Sequence, residues 1–271
     1  MLTTTWDDLL HPGDATDFFS RRTFPPFDPD ASGYSQGNAL WLAELCRLVY
    51  RHDKEENTPP PQPTRTSFLA SAGFTQRQFF LSQKTNTQAM LAEFGGASPF
   101  AVLAFRGTEQ TLRDLITDLK TGMPPFGKTE IAVHKGFREA LDSVWDEIND
   151  VLAQLTCPVY YTGHSLGAAL ATLAAARRRP KAVYTFGSPR VGNQAFVDAL
   201  ANVPLYRIVD DTDVVTTVPP EFIGFRHAGE EHRLPGPQAD FSLRNLLNPP
   251  KFLADHAPIN YVLRIKLENP A

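Results

Sequence analysis

Apolar positions along this chain follow two periods, and the periods alternate. From Ala39 to Val49 the residues Leu42, Leu45, Cys46 and Val49 recur at the spacing of one helical face, which predicts a helix. Ahead of it, residues 1–34 are rich in Pro, Asp, Gly and Phe and show no period. They read as an irregular arm packed by Phe18, Phe19, Phe24 and Phe27. The segment TPPPQPTR at 58–65 is too proline-rich for a helix or a central strand and reads as an exposed loop. Three strand-like runs follow: QFFLSQ at 78–83, TQAMLAEF at 87–94 and FAVLAF at 100–105, with GGASP as the turn between the last two. They predict a hairpin that feeds into a central sheet.

Beyond residue 105 helix and strand patterns take turns. The order is a helix-period stretch at 110–120, a strand at 130–134, a long amphipathic helix at 136–155, a strand at 158–162, a helix at 166–178, a strand at 182–186, a helix at 193–201 and a strand at 204–209. Such alternation implies the α/β class, with a mostly parallel central sheet and helices on both faces. Within the first stretch Leu112, Leu115, Ile116 and Leu119 lie at i, i+3, i+4 and i+7, with Arg113, Asp114, Thr117, Asp118 and Lys120 on the other face. That is one amphipathic helix, and its ordinary reading is a helix facing the core.

Composition narrows the picture by exclusion. A chain of 271 residues with 42% hydrophobic and 21% charged side chains suits a single globular α/β domain over 1–271. The formal net charge of -4, without a long run of one sign, argues against nucleic acid as a partner. The longest apolar stretch, AALATLAAA from Ala168, falls far short of the roughly 18 residues that span a bilayer. No transmembrane segment is expected. The start, MLTTTWDDLLHPGDATDFF, lacks the basic and apolar regions of a secretory signal. The default reading is cytoplasmic, with secretion through a leader missing from this chain or by a leaderless route as the alternatives. Cys46 and Cys157 form no spacing motif, so two free, mostly buried thiols are expected, with no metal and no cofactor.

The candidate chemistry sits at residues 159–170, VYYTGHSLGAAL, where a buried-type strand meets a helix former and Ser165 stands at the joint between Gly163 and Gly167. A strand, a G-x-S-x-G turn and a helix make the context of a nucleophile elbow. A serine hydroxyl near neutral pH needs a histidine base, and the histidine needs a carboxylate to fix its tautomer. Downstream stand His227, His232 and His256, with Asp198, Asp210, Asp211 and Asp213 ahead of them, and order alone does not choose. The elbow supplies one oxyanion donor, the backbone N–H of Leu166, and the FRGT loop after FAVLAF is placed to supply a second. His164, beside the serine, reads as a packed, hydrogen-bonded neighbour; His134 as part of a pocket wall; His11 and His52 as surface or loop residues.

Six segments resemble the class 3 lipases, in that family's order: FRGTEQTLRDLITDL (105–119), VHKGF (133–137), TGHSLGAALA (162–171), TFGSPRVGN (185–193), DVVTTVPP (213–220) and DHAPINY (255–261). The resemblance covers roughly residues 85–265. It implies the α/β-hydrolase fold, with Ser165 as nucleophile, Asp213 as acid, His256 as base, and Thr108 as the second oxyanion donor. Thr108 also reads as an N-cap for the stretch after it. Thr216 stands where the family often has proline, so Asp210 and Asp211 stay as alternative acids. The amphipathic helix at 109–120, with Leu112, Leu115, Ile116 and Leu119, falls where the family carries a lid that opens at lipid. The implied activity is carboxylic ester hydrolysis without a cofactor, first of all as a triacylglycerol lipase working through an acyl-enzyme. The alternatives are a phospholipase A1, a soluble-ester or feruloyl-type esterase, and a hydrolase-like binding protein without turnover. The expected partners are an acylglycerol or other ester and a transient lipid interface.

Overall fold

The computed structural model describes residues 4–54, 59–108, 130–236 and 248–267. Seven strands form one sheet in chain order, β1 (Phe74–Ser82), β2 (Thr87–Phe94), β3 (Phe100–Phe105), β4 (Val159–His164), β5 (Ala182–Phe186), β6 (Leu205–Asp210) and β7 (Glu230–Leu234). The first three are antiparallel, and every pair from β3 to β7 is parallel. Helices fill the crossovers: α4 (Lys135–Leu152) before β4, α5 (Leu166–Arg177) before β5 and α6 (Gln194–Ala199) before β6. Among the described residues three helices precede the sheet, α1 (Trp6–Leu10), α2 (Gln36–Leu48) and α3 (Arg65–Ser71), and two follow it, α7 (Lys251–Ala254) and α8 (Pro258–Arg264).

Side-chain parity in β3 explains why its apolar run is unbroken. Ala101, Leu103 and Phe105 join the core under α4 and α5, while Phe100, Val102 and Ala104 join the core under α2 and α8. Both faces are covered, so both parities are buried. On α4 the buried residues Phe137, Leu141, Val144, Ile148 and Val151 step by three or four, one stripe against the sheet. α5 instead buries nearly all round with alanines, lying over β3, β4 and β5 beside α4, which covers β1 and β2.

The expected strand at 130–134 is absent. Val133 makes only an isolated bridge to Gly192, because β3 already pairs with β2 on one side and β4 on the other and leaves no edge for another strand. The arm before residue 34 is less irregular than its composition suggests. α1 is held by a capping box in which Thr5 and Asp8 satisfy each other's backbone N–H, and a 3-10 turn follows at Pro12–Asp14. Its phenylalanines do pack the arm, with Phe18 on Phe68 at 5.0 Å, Phe24 on Trp41 at 4.7 Å and Phe27 on Phe100 at 4.0 Å. Cys46 is buried and contacts Thr162 Oγ1 at 3.0 Å, whereas Cys157 is only half-buried. Among the described residues no helix is long and apolar enough to cross a membrane.

Candidate active site

Between β4 and α5 there is a single residue, Ser165, with φ 58° and ψ -125°. A side chain in this left-handed region costs about 1–2 kcal/mol, so its neighbours must hold it there. They do so by backbone contact. A Cβ on Gly163 would lie 2.2 Å from the Gly167 carbonyl carbon, and one on Gly167 would lie 2.2 Å from the Phe105 carbonyl oxygen. Strand, turn and helix touch with no room for side chains. The Ser165 N–H donates to the Phe186 carbonyl at 3.0 Å, which fixes the turn to the end of β5. Ser165 is 2% exposed, and among the described residues its Oγ makes no hydrogen bond. It sits at the N-terminus of α5, where the helix dipole favours negative charge. Leu166 is the first residue of that helix, so its N–H has no intrahelical acceptor.

Asp213 and His256 meet beyond the end of β6, two strands from β4. Asp213 caps the 3-10 turn after β6, its Oδ1 accepting the Val215 N–H at 2.9 Å. His256 Nδ1 lies 2.8 Å from Oδ2 and 3.0 Å from Oδ1. A carboxylate only accepts, so Nδ1 carries the proton and the Nε2 lone pair is left to take one. The Tyr261 hydroxyl donates to the same Oδ2 at 2.5 Å. Burial and the Asp213 charge push that phenol well above its ordinary range, which keeps it a donor. Gly187, at φ 59°, ends β5 beside this cluster: a Cβ there would lie 2.6 Å from Asp213 Oδ2 and 3.0 Å from His256 Nδ1.

His164 lies behind the pair. Its Nε2–H donates to the His256 carbonyl at 2.7 Å, leaving Nδ1 to accept the Tyr50 hydroxyl at 3.2 Å. Its ring is 4.5 Å from the ring of His256, and burial together with that neighbour holds its pKa well below the usual histidine value. It is therefore a neutral, packed support. Gly107 brings the 106–108 loop onto the elbow: a Cβ there would lie 2.7 Å from the His164 carbonyl and 3.3 Å from Ser165 Cβ. Thr108, the next residue, is half-buried beside it.

The other candidates point elsewhere. Asp210 faces Arg264 at 2.5 Å, Asp211 pairs with Lys251, and Asp198 accepts from Gln194 within α6. His227 donates to the Thr216 carbonyl at 2.8 Å, with burial and then Arg207 holding its pKa down to about 3. His232 stacks on Tyr34 at 3.6 Å beside Glu230. His134 packs on Phe137 at 4.4 Å, His11 is exposed and His52 half-buried. The stretch 109–120, with Leu112, Leu115, Ile116 and Leu119, lies outside the described residues. Tyr261 was missed as a member of the site, although it closes the DHAPINY segment; a tyrosine one helical turn and a residue beyond the histidine was the available signal. Among the described residues no group of His, Cys, Asp and Glu could hold a metal ion.

This arrangement has counterparts. The class 3 lipase family matches residues 102–223, from β3 through the turn that carries Asp213. A solved triacylglycerol lipase whose catalytic centre is formed by a serine protease triad is 33% identical, with a TM-score of 0.53 over 61% of this chain and 68% of that one. The chain belongs to the class 3 lipase family. Lipase II of Rhizopus niveus, 26% identical, superimposes with a TM-score of 0.61 over 73% of this chain and 80% of its own, and the fold is that of the α/β hydrolases. A lipase of Rhizomucor miehei is 36% identical over 166 residues, 54% of this chain and 45% of that protein. The matched part of the chain thus spans less than half the length of that relative.

Proposed function

We propose that this chain is a serine carboxylic ester hydrolase that cleaves acylglycerols through an acyl-enzyme. One observation carries the reading: a buried Asp–His pair, with the imidazole proton held on Nδ1 at 2.8 Å from the carboxylate, beside a serine strained into an elbow at a helix N-terminus. In this reading His256 Nε2 takes the Ser165 proton as Oγ attacks the ester carbonyl, and Asp213 stabilises the imidazolium that forms. The Leu166 N–H and Thr108 donate to the oxyanion. His256 then protonates the leaving alcohol, and water attacks the acyl group by the same steps reversed. The Ser165–His256 hydrogen bond is open here; such contacts tighten when substrate binds.

Acylglycerol is preferred over small soluble esters because family membership and exposed apolar side chains agree. Phe222 is 89% exposed in the turn after the acid, and Phe252 is 48% exposed four residues before the base. Those side chains, and the amphipathic sequence at 109–120, support contact with a lipid interface and a lid over the serine. One sheet with a core on each face supports reading the chain as one domain.

The test is hydrolysis of triacylglycerols of increasing chain length, below and above their solubility limit, with Ser165→Ala in parallel. A rise in rate once droplets form, absent in the variant, is the expected result. Rates that follow dissolved substrate alone would leave an esterase, and equal inertness of both proteins, with no fluorophosphonate uptake at Ser165, would sink the catalytic reading.

A further inference from the structure

The acid and the base come from loops far apart in the chain, yet the residue before each one is joined to the other. Asp255 immediately precedes His256, and Thr212 immediately precedes Asp213. Asp255 Oδ2 accepts the Thr212 N–H at 3.1 Å and the Thr212 hydroxyl at 2.6 Å, together with Lys251 Nζ at 3.0 Å. Its other oxygen accepts Arg264 Nη1 at 2.7 Å, and the same Nη1 donates to Asp210 at the end of β6. Asp255 is fully buried. Burial alone would raise its carboxyl, but the donors from Thr212, Arg264 and Lys251 outweigh that and leave the pKa below the usual range. The group is an ion whose partners come from the Thr212 loop, from Lys251 of α7 and from Arg264 of α8.

We infer that Asp255 is a positioning residue for the acid–base pair: by gripping Thr212 it locks the loop of Asp213 to the loop of His256, and Arg264 ties that grip to the end of β6. The inference rests on the proposed roles of Asp213 and His256. Its physical basis is lever length. A hydrogen bond one residue away from each partner controls their separation directly, and misplacement by about 1 Å can cost about a hundredfold in rate. Tyr261, from the same helix as Arg264, then sets the rotation of the carboxylate whose position the grip has set.

Thr212 gives the cleanest test because it is exposed, so removing its hydroxyl leaves the core intact. On a soluble ester, Thr212→Val is expected to lose about fivefold to tenfold in kcat with KM within about twofold and an unchanged melting temperature, and Thr212→Ser to restore kcat. Asp255→Asn is expected to lose about a hundredfold. A second readout does not need turnover: the downfield proton resonance of the Asp213–His256 hydrogen bond should broaden or vanish in Asp255→Asn. Wild-type kcat in Thr212→Val, equal losses in the Val and Ser variants, or an unchanged resonance in Asp255→Asn would each overturn the inference. An inert wild type that takes up no fluorophosphonate refutes the reading of the site instead, and the resonance still decides the clamp.

Discussion

Gly187→Ala isolates how little space the site leaves. At φ 59° an alanine already costs about 1–2 kcal/mol relative to glycine. Its methyl carbon would lie 2.6 Å from Asp213 Oδ2, roughly 0.8 Å inside ordinary van der Waals contact. The carboxylate has nowhere to retreat, since Val215, Tyr261 and His256 all hold it and it is 1% exposed. Either the pair shifts by most of that overlap or β5 moves, and with it the Phe186 carbonyl that anchors the Ser165 N–H. The expected result is a loss of about 2–4 kcal/mol, read as a melting temperature lower by roughly 5–15 °C, and a fall in kcat of about a hundredfold on a soluble ester. Thermal unfolding and steady-state kinetics on the purified variant check both. A variant with wild-type kcat and an unchanged melting temperature would refute the claim that this contact sets the geometry of the pair.

Tyr261→Phe removes one donor from Asp213 without opening a cavity, so kcat should fall by about tenfold with KM unchanged; an equal change in KM would point to substrate binding instead. Asp210 has its pKa raised to about 7, burial being the largest cause, so the native state holds this proton more tightly than the unfolded chain does. Its contribution to stability is complete below the unfolded value near 3.8 and is lost as pH rises through about 7. Melting temperatures from pH 4 to 8 should show that decline in the wild type and lack this component in Asp210→Asn. Asn193 donates from Nδ2 to the Glu130 carbonyl, accepts from the Ala132 and Phe196 N–H groups, and is 3% exposed. Asn193→Ala should cost about 2–4 kcal/mol in urea unfolding.

Three carboxylates within four residues, Asp210, Asp211 and Asp213, show where sequence runs out. Their local chemistry is the same, and nothing within that stretch says which one meets the histidine. The chain folds Asp210 inward at the end of β6 onto Arg264, turns Asp211 outward at φ 29° onto Lys251, and turns Asp213 back in onto His256. What separates them lies 40 or more positions on, beyond the reach of any local pattern. The elbow is the opposite case. Strand, turn and helix are consecutive, and Gly163 and Gly167 announce the close approach that the backbone makes. The same distinction governs the fold. β3 and β4 were legible because both faces of each are buried, whereas β7, read as EEHRL, has only Leu234 buried and advertises no period. An edge strand dressed in charge resists pairing with another chain, and that protection hides it in the sequence. Local apolar order therefore reveals the scaffold and the turn of Ser165, while the placement of Asp213 and His256 depends on contacts such as Asp255 with Thr212, which join segments 43 residues apart.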